Sequence, residues 1–81
     1  MFQPTKNEIT QKVNLVFEGK LTREDVNEWA WTYIINEDTI DIVDIDAWHY
    51  LMAISDIDEM IPPGVYLFDE EDIRNIMREY I

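Results

Sequence analysis

The chain has 81 residues, 18 of them acidic and 6 basic, for a net charge of −12 and a pI near 4.1. At 47% hydrophobic residues it can fill one small core, which excludes the disordered class, and a chain of this size buries roughly 60–65% of its unfolded surface. With no cysteine, disulfides, thiolate metal sites and a cysteine nucleophile are excluded together.

Residues 1–4 read as a loose arm. Thr5 followed by Glu8 makes a capping box, and Ile9, Val13, Val16 and Phe17 recur at helical spacing, so a first helix is expected over 5–18. Gly19 suits the position just past its end. The second helix, 22–36, has the clearest signal. Val26, Trp29, Ala30, Tyr33 and Ile34 form one stripe, Thr22 can cap by accepting from the Asp25 N–H, and Leu21 can staple to Val26. Trp31 and Ile35 form a second apolar strip, so this helix is expected at the centre of the domain. Next comes Glu37 to Ile45, an extended connector in which 39–43 could pair with 65–68 as a minor two-stranded addition.

A third helix over 46–55, capped by Asp44 or Asp46, would turn Ile45, Trp48, Leu51, Met52 and Ser55 inward and leave His49 and Tyr50 pointing elsewhere. Pro63-Gly64 matches the central pair of a type II turn. Asp69 can cap a fourth helix over 69–81, with Phe68 stapling to Ile73 and Glu70 four residues before Arg74. The expected fold is all-α, a single-domain bundle of three to four short helices with extended connectors.

Charge is unevenly placed. Between Glu24 and Ile73 lie fifteen acids and no Lys or Arg. Eight of them (Glu24, Asp25, Asp44, Asp46, Asp69, Glu70, Glu71, Asp72) sit at expected helix N-termini, where the helix dipole favours them. The others, Glu28, Glu37, Asp38, Asp41, Asp56, Asp58 and Glu59, could form one acidic face. Such a field argues against nucleic acid and anionic membranes and favours a basic protein partner. No frame of the acids supplies the spacing and Gly of an EF-hand, so no metal site is expected. His49 is the lone histidine and Gly19 and Gly64 the only glycines, which leaves no catalytic constellation, phosphate loop or cofactor site; an enzyme is not expected. The N-terminus lacks an apolar run of signal-peptide length, which fits a cytoplasmic protein.

The order Thr22-Arg23-Glu24-Asp25-Val26, Trp29-Ala30, Trp48, Leu51, Tyr66-Leu67 and Glu71-Asp72-Ile73 resembles a group of small, acidic, largely uncharacterised bacterial helical proteins, some of them immunity-like, over residues 21–81. That resemblance implies a protein-binding role. The expected function is therefore a non-enzymatic interaction module, an immunity or antitoxin-like inhibitor. Its acidic face would use Glu28, Glu37, Asp38, Asp41, Asp58 and Glu59, with Trp31 and Tyr66 as apolar anchors. The alternative is a homodimerising scaffold joined through Trp31 and Ile35, its acids serving solubility.

Overall fold

A computed structural model describes residues 2–81. Its elements are α1 (Lys6–Phe17), α2 (Arg23–Ile34), a 3-10 turn (Glu37–Thr39), α3 (Ile45–Ser55), β1 (Met60–Ile61), β2 (Val65–Tyr66) and α4 (Glu70–Tyr80). The fold is an all-α bundle with one minor antiparallel hairpin.

Three helices begin on the same device. Thr5, Thr22 and Asp69 each accept from the backbone N–H three residues on, and Glu8, Asp25 and Asp72 reach back to the cap's own N–H. Each box satisfies two of the donors a helix start leaves orphaned. Asp44 caps α3 by accepting from the Ala47 N–H at 3.1 Å. At the end of α1, Gly19 takes φ +75°. Its N–H donates to the Val16 carbonyl and the Lys20 N–H to the Leu15 carbonyl, the two bonds of a Schellman motif. That turn lets α2 start six residues after α1 ends.

The centre of the bundle is α3, not α2. Helices α1, α2 and α4 all pack on it, and Ala47, Trp48, Tyr50, Leu51, Ile54 and Ser55 are all buried. Tyr50, which the helical spacing turned away from the core, is fully buried. Its ring stacks on Tyr80 at 5.4 Å and its hydroxyl hydrogen-bonds the Thr10 hydroxyl at 2.9 Å. Ile45 and Met52 are instead exposed. Trp48, Leu51 and Ser55 of the expected stripe are buried, and Ala47, Tyr50 and Ile54 join them because a helix enclosed on three sides has no single apolar face. Trp48 is buried, and its indole N–H has no hydrogen-bond partner among the described residues. Ile57, in the turn after α3, also belongs to the core.

The minor sheet forms within 60–66, where Met60 pairs with Tyr66 and Ile61 with Val65. Residues 39–43 do not pair with 65–68. Local closure wins because the turn between the strands is short, whereas pairing across α3 would close a far longer loop. Its central pair is Pro62–Pro63, joined by a cis peptide, with the Gly64 N–H donating to the Ile61 carbonyl at 2.9 Å. This replaces the expected Pro63-Gly64 type II arrangement.

Nor is the N-terminal arm loose from Phe2 onward. Phe2 forms an isolated parallel bridge with Asp41, and Pro4 is buried. The Gln3 amide clamps the connector: Oε1 accepts from the Val43 and Asp44 N–H groups at 2.8 and 2.9 Å, and Nε2 donates to the Asp44 carbonyl at 2.9 Å. Met1 lies outside the described residues. No helix among the described residues is long and apolar enough to cross a membrane.

Candidate functional site

The eight residues expected to form an acidic docking face do not converge. Asp58, Glu59 and Tyr66 lie at the N-terminal end of α2, where Tyr66 donates to the Glu24 carboxylate at 2.9 Å. Glu37, Asp38 and Asp41 follow the C-terminal end of the same helix. Twelve residues at 1.5 Å rise separate the two groups by about 18 Å. Glu28 and Trp31 are exposed along α2 between them, and Ile35 is 75% exposed.

Tyr66 is engaged within the fold. Arg23 lies over its ring at 4.1 Å, and the same guanidinium donates to the Ile57 and Phe68 carbonyls. The hydrogen bond to Glu24 pushes the Tyr66 phenol above its ordinary pKa, and burial pushes the Asp58 carboxyl up. Arg23 is thus a structural pin joining α2, the turn after α3 and the segment leading into α4. Among the described residues no group of His, Asp and Glu side chains is arranged to hold a metal ion.

The surface least like the rest of the molecule is the outer side of α1. Lys6 and Lys12 against Glu8 give α1 a balance of +1. The other helices are negative: α2 sets Arg23 against Glu24, Asp25 and Glu28, α3 has Asp46, and α4 sets Arg74 and Arg78 against Glu70, Glu71, Asp72 and Glu79. Ile9 and Val13 hold α1 to the core, which leaves Asn7, Gln11 and Asn14 exposed on the opposite side, four and three residues apart. By the 3.6-residue turn, Lys6 falls on one flank of that stripe and Glu8 on the other, while Lys12 lies about 130° from it on the side facing α2. Lys12 extends over the Trp29 ring at 5.4 Å from its centroid, and Lys6 lines a shallow depression with Asn7, Thr10, Tyr80 and Ile81.

Helix α4 packs beside α1 and adds two cations. Arg74 lies over the Phe17 ring at 4.3 Å and pairs with Glu70 at 2.6 Å, while Arg78 donates to the Asn75 side chain at 2.7 Å. Both arginines are exposed. Lys6, Lys12, Arg74 and Arg78 thus belong to one pair of adjacent helices. In the sequence the fifteen acids from Glu24 to Ile73 overshadow this group, and the charge balance taken helix by helix separates α1 from the rest.

A family model described as YxzC DNA-binding protein matches residues 3–80, and the chain belongs to that family. It is 32% identical over 73 residues to a protein of Bacillus subtilis (strain 168) named Uncharacterized protein YxzC, an alignment covering 90% of this chain. The chain spans 59% of the length of that relative. No solved structure matches it.

This family description overturns the inhibitor and scaffold readings, the basic protein partner and the exclusion of nucleic acid. Nothing in the family supports the immunity-like likeness. The physical error lies in letting the acidic field of Glu24–Ile73 stand for every surface. Phosphate contacts are local, and a chain at −12 still presents one pair of helices with four exposed or half-buried cations.

Proposed function

We propose that the protein is a non-catalytic DNA-binding protein of the cytoplasm, and that it meets DNA through the α1–α4 side. The observation that carries this is the match of residues 3–80 to a family described as DNA-binding. The placement of the cations supports the location: Lys6, Lys12, Arg74 and Arg78 all belong to these two adjacent helices, whereas the stretch from Glu24 to Ile73 offers no cation to a phosphate.

The rest of the molecule shapes how such binding responds to salt. DNA repels a body of net charge −12 at long range, and a Debye length of about 30 Å at 0.01 M leaves that repulsion unscreened. Added salt first screens it. Further salt then weakens the phosphate contacts themselves, with a log–log slope of about −0.9 per contact, or about −3.6 for four. Affinity should therefore pass through a maximum at intermediate ionic strength.

Fluorescence anisotropy of a labelled duplex across a salt series tests this. Replacing Lys6 and Arg78 together by Ala should flatten the high-salt slope by about 1.8 while leaving the helical circular dichroism intact. No anisotropy change with the unaltered protein at any salt overturns the proposal.

A further inference from the structure

We propose that α1 is a recognition helix, which enters the major groove and reads adenine through Asn7, Gln11 and Asn14. This rests on the DNA-binding function above and assigns base recognition to exposed side chains that make no hydrogen bond among the described residues.

The chain has seven side-chain amides. Four are used internally: Gln3, Asn27 and Asn36 donate to the carbonyls of Asp44, Ser55 and Thr32, and Asn75 accepts from Arg78. The other three are Asn7, Gln11 and Asn14, and among the described residues none of them has a side-chain hydrogen bond within the protein. The unengaged amides are therefore the three that share the outward stripe of one helix.

Their chemistry suits one base. A carboxamide pairs bidentately with the N6 donor and N7 acceptor of adenine, a pattern displayed only in the major groove. Dimensions agree as well. From residue 7 to residue 14 the helix rises about 10.5 Å, about three base-pair steps of 3.4 Å. A helix about 10–12 Å across fills a groove about 12 Å wide, which brings Lys6 on one flank toward a phosphate wall.

The acids near the stripe are committed elsewhere: Glu8 closes the capping box with Thr5, and Glu18, just past the helix, pairs with Lys20 at 3.4 Å. Any other helix would carry a net negative charge into the groove.

The test is selection of sites from a random duplex library by the full chain, followed by anisotropy on the enriched and a scrambled site. Two variants are compared with the unaltered protein: Asn7→Ala/Gln11→Ala/Asn14→Ala together, and Gln11→Glu alone. Enriched sites should contain adenines within about three successive base pairs. Each amide removed should cut the preference for the enriched site by about 5- to 150-fold, so the triple variant should bind both duplexes at the unaltered protein's non-specific affinity.

Gln11→Glu conserves shape, and with acceptors alone it should shift preference at its position from adenine to cytosine. An enriched site that the triple variant still prefers, or DNA binding with no enriched site, overturns the recognition helix and leaves DNA binding standing. Failure of the unaltered protein to bind any duplex overturns both.

Discussion

Helices α1 and α3 are nearly equal in length, at 12 and 11 residues, and opposite in use. Helix α3 buries six residues and every other helix packs on it. Helix α1 buries only Ile9 and Val13 and keeps the whole of its far side in solvent. The helix that organises packing keeps only Ile45, Asp46, His49 and Met52 exposed, while the peripheral helix presents groups that packing does not need. Importance for folding and importance for recognition are thus separable here, and substitutions should fall cleanly into one class or the other.

The hardest blow to α3 is Tyr50→Ala. It deletes a fully buried ring together with its stack on Tyr80 and its bond to Thr10. About 3–5 kcal/mol of stability should go, lowering the thermal midpoint by roughly 12 °C or more. Asn14→Ala, on α1, should leave that midpoint nearly unchanged. If the two variants melt alike, the division of labour fails.

Arg23→Ala comes next. Losing a guanidinium bonded to two carbonyls should cost about 1.5–3 kcal/mol, seen in urea titration, with DNA affinity of the folded protein preserved. A loss of affinity at full folding would extend the interface beyond α1 and α4.

Acid should then reveal α2 separately. The Thr22 backbone N–H, and after it the Thr22 hydroxyl, hold Asp25 below the ordinary aspartate pKa. A depressed carboxylate contributes stability above its unfolded value and loses it as pH falls through the folded one. The stability gap between the unaltered protein and Asp25→Asn should therefore be full near neutrality and close in acid. A gap independent of pH would refute that origin.

Smallest is Glu70→Gln, which removes an exposed ion pair worth about 0.3–0.5 kcal/mol. It also frees Arg74, so duplex affinity in the anisotropy titration should rise while stability dips. Unchanged affinity would exclude Arg74 from the phosphate contacts.

Most of the fold was legible wherever a local rule governs it. The Thr5, Thr22 and Asp69 caps, the Gly19 turn and the four helices follow from short-range patterns, and they hold. What escaped depends on distant partners. Nothing near Tyr50 in sequence announces Thr10 or Tyr80, and nothing near Gln3 announces Val43.

The candidate site depends on a different kind of signal. Fifteen acids in one stretch drew attention to Glu24–Ile73, while three neutral amides at positions 7, 11 and 14 carry no charge to be noticed. Their spacing was visible; their lack of intramolecular partners was not.

The Gln3 clamp gives α1 a handle of its own. Val43 and Asp44 donate their N–H groups to a side chain rather than to a strand, so both hydrogens stay shielded only while the arm is seated. Two residues beyond Gln3 lies Thr5, the cap from which α1 starts. Deuterium uptake at these two amides would thus time the unlatching of the arm, a local opening well below the free energy of global unfolding. The start of the groove-facing helix could be watched coming loose through two protons forty residues away along the chain.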